Sequence, residues 1–314
     1  MSGICKHELQ IQCWNIHGAF FNLEGDRYCK LSHDPDVVEQ TRKYLIFGLI
    51  ESHHTAEDIP LVQIPEYRCF QVCRKKLKYG RKSGGICVFV HESVSRGVKK
   101  VNTSGSESIL IKLSKDFFSL ARDIVVSFSY CVPAGSSYQA RTQFDPFDDF
   151  EQKISSVGDD CDLVCLTDFN ARTALRPDYI VRDDHSNIPV MSSDFAPDTI
   201  GAFPRGNMDT VTNTYGDRLL EICRSVPLRV CNGRILGDLL GAYTCYTYGE
   251  GKSVVDYCLV SPRIYHKVSY FVVNQFMPHA SDHCPITVTI STNYLLQTNP
   301  SSGFEYIKKP VRVP

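Results

Sequence analysis

Apolar residues in this chain fall into short runs separated by turn formers. LQIQCWNIHG, KYLIFGLIE, GGICVFVH, SILIKL, DIVVSFSYCV, DLVCLTDFN, RVCNGRI, AYTCYTY, SVVDYCLVS, SYFVVNQF and CPITVTI are rich in β-branched and aromatic residues, the composition of strands. That is too many strands for one small sheet. Between them, residues 35–44 (PDVVEQTRKY), 143–157 (QFDPFDDFEQKISSV) and 216–225 (GDRLLEICRS) place apolar residues at the spacing of one helix face. Two packed sheets with helices outside follow, a layered α/β protein. After Ile290 the periodicity fades into STNYLLQTNPSSGFEYIKKPVRVP, whose Pro, Ser and Gly read as a tail or linker. No internal repeat or low-complexity tract interrupts the pattern.

Composition narrows the class. With 314 residues, 43% of them hydrophobic and 22% charged, the chain can bury a large single core. No run approaches the roughly 18 to 20 apolar residues of a membrane-spanning helix, and MSGICKHELQ lacks the apolar core of a secretory signal. The expectation is an intracellular protein, or a domain of a longer one, with no membrane partner. Fourteen cysteines are spread through the expected strands, Cys13, Cys87, Cys131, Cys165 and Cys258 among them, where a reduced thiol packs as a small hydrophobe. Cys69 and Cys73 lack a second ligand pair of zinc spacing, so a structural zinc is not expected.

The net charge of -1 hides an asymmetry. Arg74, Lys75, Lys76, Lys78, Arg81, Lys82, Arg96, Lys99 and Lys100 crowd residues 68–100 against the lone Glu92, whereas residues 145–184 are rich in Asp. Such a basic stripe meets a polyanion or forms a solvated hairpin rim. The acidic stretch suits cations.

Polar residues recur where apolar runs stop. Asn15 follows QIQCW, Glu51 ends YLIFGLI, Asp168 and Asn170 end DLVCL, Asp256 follows SVV, and Asp282 and His283 precede PITVTI. Each alone is as well explained by a turn or a helix cap. Together they are harder to dismiss, because a carboxylate half-buried at a strand end is costly unless paired, hydrogen-bonded or bound to a metal. Hard carboxylates and amides suit Mg²⁺ or Mn²⁺, and a His beside an Asp suits proton transfer or charge stabilisation. The residues point to a metal-assisted phosphodiesterase.

The set WN at 14–15, the Glu of GLIES, SGGICVFV, SYCVP, LTDFN, VVDYCLVS and SDHCPI resembles, in that order over about residues 9–291, the endonuclease/exonuclease/phosphatase superfamily, which includes DNase I and the AP endonucleases. WNIHG, GLIESHH, RKSGGICVFV, YCVPAGSSY, GDRLLEICRSVPLRVCNGRILGD and the YTCYT before GKSVVDYCLVS are more similar to the endonuclease domain of non-LTR retrotransposons. The resemblance implies a four-layered α/β sandwich of two mostly antiparallel sheets flanked by helices, with residues 1–292 as the catalytic domain. Residues 293–314 would be a tail or linker to a downstream reverse transcriptase. It implies a Mg²⁺- or Mn²⁺-dependent endonuclease that nicks double-stranded DNA in the nucleus, leaving a 3'-hydroxyl for target-primed reverse transcription.

Site roles are carried over on the same terms. Glu51 is the implied principal metal ligand, with Asn15 on the metal or the scissile phosphate and Asp282 completing the metal side directly or through water. Asp168 would orient or deprotonate water, and Asn170 would position the water or a phosphate oxygen. Asp256 would orient His283, which acts as base or charge stabiliser, and Tyr130 would donate to a phosphate oxygen. Apart from these carried-over roles, Arg74, Lys75, Lys76, Lys78, Arg81 and Lys82 could contact DNA phosphates, and residues 184–215 and 232–244 are candidates for setting target preference, their Gly and Pro reading equally as ordinary surface loops. The chain departs from the pattern at His17, where AP endonucleases carry Asp, at Thr167, where Gly is usual, and in the Tyr130 to Pro133 spacing. His17 weakens a second metal subsite. A non-cutting domesticated copy that binds nucleic acid or protein, and a superfamily phosphatase acting on other phosphoesters, remain alternatives.

Overall fold

The structure, a computed structural model, describes residues 4–24, 26–74, 83–180, 198–247, 249 and 251–296. Its strands are β1 (Ile4–Asn15), β2 (Phe20–Leu23), β3 (Asp26–Cys29), β4 (Ile46–Ile50), β5 (Tyr67–Val72), β6 (Ile86–His91), β7 (Val98–Val101) and β8 (Ser108–Leu113). Then follow β9 (Asp123–Tyr130), β10 (Cys161–Asp168), β11 (Arg229–Val230), β12 (Cys245–Thr247), β13 (Gly251–Ser253), β14 (Asp256–Val260), β15 (Val268–Val273) and β16 (Ile286–Leu296). The α-helices are α1 (Lys30–His33), α2 (Pro35–Arg42), α3 (Lys115–Phe118), α4 (Ser137–Thr142), α5 (Pro146–Ser155) and α6 (Thr214–Ser225).

Two six-stranded sheets form, in the orders β15-β16-β1-β4-β6-β5 and β11-β14-β10-β9-β8-β7. Each has one parallel pair at its centre, β1 with β4 and β9 with β10, and every other neighbour is antiparallel. Parallel neighbours end at the same edge, and antiparallel ones begin there. Asn15 therefore pairs with Ile50 at the end of the first pair, Tyr130 with Asp168 at the end of the second, and Asp256 starts β14 opposite Asp168. One rim of the sandwich collects the polar residues that the sequence places at strand ends.

The inner faces pack Leu9, Ile11, Ile50 and Val88 against Val126, Phe128, Val164 and Leu166. Outside the first sheet, Trp14, Phe47, Leu49 and Phe89 meet Leu31 of α1 and Val37 of α2. Outside the second, Leu163, Cys165 and Leu259 meet Phe147, Phe150 and Ile154 of α5 and Leu219 and Ile222 of α6. The result is the expected four-layered α/β sandwich. Because both faces of the central strands are covered, all five residues of β4 are buried and its sequence reads as an apolar run rather than an alternation. Helices α2 and α5 begin at Asp34 and Asp145, whose carboxylates accept first-turn N–H groups, with Pro in the first turn of each.

Gly48 faces the inner layer, where a Cβ would sit 2.1 Å from Cδ1 of Phe128. The missing side chain is what lets Phe128 cross from the opposite sheet. Gly48→Val is therefore expected to lower stability by roughly 3 kcal/mol, the upper end of overpacking costs. An unchanged urea midpoint would show that the layer has room to spare.

The closing strand corrects the tail expected after Ile290. β16 runs to Leu296 because Ile4, Cys5 and Lys6, nearly 300 residues away in sequence, pair with Leu296, Leu295 and Tyr294. It thus passes the boundary set at 292. Conversely, RVCNGRI and AYTCYTY keep only the two residues of β11 and the three of β12 as strand. All thirteen cysteines whose side chains are described are unpaired, and eleven are buried. Among the described residues no helix is long and apolar enough to cross a membrane.

Candidate active site

At the rim the backbone turns sharply. His17, Glu51, His53 and Asn170 all have positive φ, at 46°, 55°, 53° and 51°. Left-handed backbone in non-glycine residues is uncommon and concentrates at functional sites. Here it follows β1, β4 and β10 directly.

The two sheets are joined at this rim by one amide. Asn15 Nδ2 donates to Glu51 Oε2 at 3.0 Å and to Asp168 Oδ2 at 2.9 Å, while its Oδ1 accepts from the backbone N–H of His17 at 3.0 Å. That last bond fixes which way the amide points. Asn15 thus turns its nitrogen to both carboxylates and orients them.

Beside it, His283 lies between two acids. Its Nδ1 is 2.8 Å from Asp256 Oδ2, and its Nε2 is 3.9 Å from Asp168 Oδ2. Asp256 is held by Thr244, whose Oγ1 accepts from the N–H groups of Val255 and Asp256. The His283 main chain is pinned as well: its carbonyl accepts from Trp14 Nε1 at 2.9 Å, and its N–H donates to Ser281 Oγ at 3.0 Å. Ser281 in turn donates to the Asn15 carbonyl at 2.6 Å. Asn170 closes the inner side, its N–H donating to Asp168 Oδ1 at 2.9 Å and its Nδ2 to the Cys131 carbonyl at 2.9 Å.

Burial sets the electrostatics. Asp168 is almost wholly buried, and desolvation, reinforced by the Asp256 charge, pushes its carboxyl up to about 7. Burial pulls His283 down, but the charges of Asp256 and Asp168 outweigh it and hold the imidazole well above its ordinary value. Glu51 is raised by burial, yet hydrogen bonds from His53 and Asn15 prevail and keep it low. Asp282 is likewise kept low despite burial, mainly by His17, whose Nδ1 lies 2.8 Å from its Oδ1. The same bond raises His17. Tyr130 is buried with its hydroxyl toward Glu51, and burial followed by that charge raises it strongly.

The donor set separates into two parts. Glu51 and Asp282 are the more open carboxylates, with side chains 17% and 34% exposed, whereas Asp168 is 1% exposed. Oxygen donors of this kind, low in pKa and open to water, fit a hard divalent cation that keeps several waters. Donor atoms of Asp168, Asp256 and His283 also lie within 4.8 Å of one another.

Arg74 does not take the place expected of it. Its guanidinium is buried, with Nε donating to Glu107 Oε1 at 2.7 Å, a second bond to the same carboxylate, and Nη1 donating to Ser83 Oγ at 3.1 Å. It also stacks 4.0 Å above the Tyr138 ring. Its donors are committed inside the protein, so it is a structural ion pair rather than a phosphate contact. Lys75, Lys76, Lys78, Arg81 and Lys82 lie outside the described residues, as do residues 184–197 of the expected specificity loop.

His17, His53, Thr244, Cys245 and Ser281 also belong to the site without having been given a role there, His17 being noted only as a departure that weakens a second metal subsite. All five sit within the quoted motifs WNIHG, GLIESHH, YTCYT and SDHCPI, which was the available signal.

No protein-family model and no curated protein matches the chain. Solved structures do. A 3'-5' exonuclease from Neisseria meningitidis shares 17% identity at a TM-score of 0.56, covering 90% of this chain and 100% of that one. A 3' phosphatase from Neisseria, bound to a product DNA hairpin, shares 15% at 0.54 over 90% and 99%. An AP endonuclease from Leishmania major shares 13% at 0.58 over 91% and 88%. At these identities the likeness is one of fold.

Proposed function

We propose that this chain is a divalent-metal-dependent phosphoester hydrolase of DNA, one that nicks a strand of the duplex to leave a 3'-hydroxyl and a 5'-phosphate. The observation that carries the proposal is the cluster joining Glu51, Asn15, Asp168, Asp256 and His283 across the rim of both sheets, hydrogen-bonded except for the 3.9 Å charge contact between His283 and Asp168. The fold neighbours named as exonuclease, 3' phosphatase and AP endonuclease support the substrate class. The finer proposal, supported by the sequence resemblance, is the nicking domain of a non-LTR retrotransposon acting in the nucleus ahead of a reverse transcriptase.

Glu51 and Asp282 would hold Mg²⁺ or Mn²⁺, which when bound offsets charge on the nonbridging oxygens and lowers the pKa of water. Asp168, poised near neutrality, takes the proton of the attacking water at Oδ2, and Asn170 orients that water. Asn15 keeps the Glu51 and Asp168 carboxylates from turning away. His283, charged and held by Asp256, presents Nε2–H to the developing charge. Tyr130 donates from beside Glu51 to a phosphate oxygen.

The pH dependence follows with a definite sign. Activity should rise through about pH 7 as Asp168 ionises, then decline at higher pH as His283, whose pKa is raised, loses its proton. A pH profile of single-turnover kcat/KM that is flat from about pH 6 to 8 would remove Asp168 from the base role.

Supercoiled plasmid tests the activity itself. Conversion to open circles with Mg²⁺, absent with EDTA, is the expected result. Intact plasmid at every metal concentration alongside release of phosphate from a DNA 3' end would favour the phosphatase alternative. Binding without either reaction would favour a domesticated copy.

A further inference from the structure

We propose that Cys245, Asp282 and His283 form a second, softer metal position that takes Zn²⁺ and, when filled, withdraws His283 from the reaction. The consequence for the reaction rests on the function proposed above; the binding does not.

The backbone builds this position. Tyr246 N–H donates to the Asp282 carbonyl at 2.8 Å, and Cys284 N–H to the Thr244 carbonyl at 2.7 Å. Between those bonds Cys245 and His283 face each other across an antiparallel bridge. They are therefore a closely spaced pair of the ladder, with Cα atoms about 4.5 Å apart, and the thiol is within hydrogen-bonding reach of the imidazole. One donor atom from each of Cys245, Asp282 and His283 lies within 4.8 Å of the others. Cys245 and His283 are buried, while Asp282 opens to the cleft and provides the way in.

The chemistry selects the ion. A thiolate, an imidazole nitrogen and a carboxylate oxygen are tetrahedral zinc donors, with the fourth position left to water. Mg²⁺ avoids thiolate and keeps to oxygen. As the zinc–sulfur bond forms, the Cys245 proton leaves to solvent, and the His283 imidazolium gives up one ring proton to solvent as well, freeing the nitrogen lone pair through which it coordinates. Hydrolysis as derived above gives this thiol no task. Among the described residues, Cys245 is the only cysteine in such a donor cluster.

X-ray absorption of the reduced chain loaded with one equivalent of Zn²⁺ tests the proposal without a mutation. One sulfur in the zinc shell at about 2.3 Å is expected. In competition with a chromogenic chelator, Cys245→Ser should weaken Zn²⁺ binding at least tenfold, whereas Cys73→Ser, outside the cluster, should not change it. Zn²⁺ inhibition of Mg²⁺-dependent nicking should shift to at least tenfold higher concentration in Cys245→Ser. A shell without sulfur, or a Cys245→Ser chain that binds Zn²⁺ as tightly as the parent, overturns the site. A chain that never nicks yet binds zinc through Cys245 would overturn the proposed function and leave the site standing.

Discussion

His283→Ala should reduce the rate of DNA nicking by about 10³- to 10⁴-fold at saturating Mg²⁺, the range expected when one group combines proton transfer with charge stabilisation. Among the described residues, the imidazole is the only charged donor aimed between Asp168 and Asp256, and none lies ready to replace it. Asp256→Asn is expected to cost less, about 10- to 100-fold, because it leaves the ring in place and removes only the partner that orients it. The ordering matters as much as the size. Single-turnover nicking with both variants separates the roles, and a His283→Ala chain within fivefold of the parent would take His283 out of the chemistry. Both side chains sit in a rim pinned by Trp14, Ser281 and Thr244, so near-ultraviolet circular dichroism should be preserved.

The parts of this site that could be read in the sequence were those where a polar residue ends an apolar run. Asn15, Glu51, Asp168, Asp256 and His283 each break a strand pattern, and parallel pairing at the centre of each sheet carries those ends to one rim. The sandwich was legible for the same reason: strands buried on both faces write continuous apolar runs, and α5 and α6 write helical periodicity. What escaped depends on partners far away in the chain. A positive charge in a basic stripe reads the same whether it meets solvent or a buried acid, and only Glu107, 33 residues on, turns Arg74 inward. The extension of β16 depends on Ile4 to Lys6 in the same way. His17 and His53 reach the carboxylates because the backbone takes a left-handed turn there, a conformation that histidine does not announce. Cys245 looked like any other strand cysteine until its bridge placed it opposite His283.

Asp168→Asn should abolish turnover, by about 10³-fold or more as the proton acceptor is lost, and at the same time make the protein more stable above neutral pH. The carboxyl is raised from 3.8 to about 7 by burial. Keeping it ionised at pH 8 therefore costs folding on the order of 4 kcal/mol, at about 1.4 kcal/mol per pH unit. Asparagine of the same shape escapes that cost, but its losses are also visible. Its Nδ2 would oppose the Asn15 Nδ2 that now donates to Asp168 Oδ2, forfeiting about 1 kcal/mol, and the His283 cation loses one of its two acids. The His283 attraction is already contained in the raised pKa, so a net gain of about 3 kcal/mol at pH 8 remains. The sign with pH is fixed by linkage: the folded parent holds its proton more tightly than the unfolded chain, so its stability falls as pH rises from about 4 to 7. The advantage of the variant should be largest above pH 7 and vanish toward pH 4. Urea unfolding in EDTA at both pH values measures it. A variant less stable than the parent at pH 8, or an advantage that grows on acidification, would mean that Asp168 is not the strained carboxylate on which the proposed base role depends.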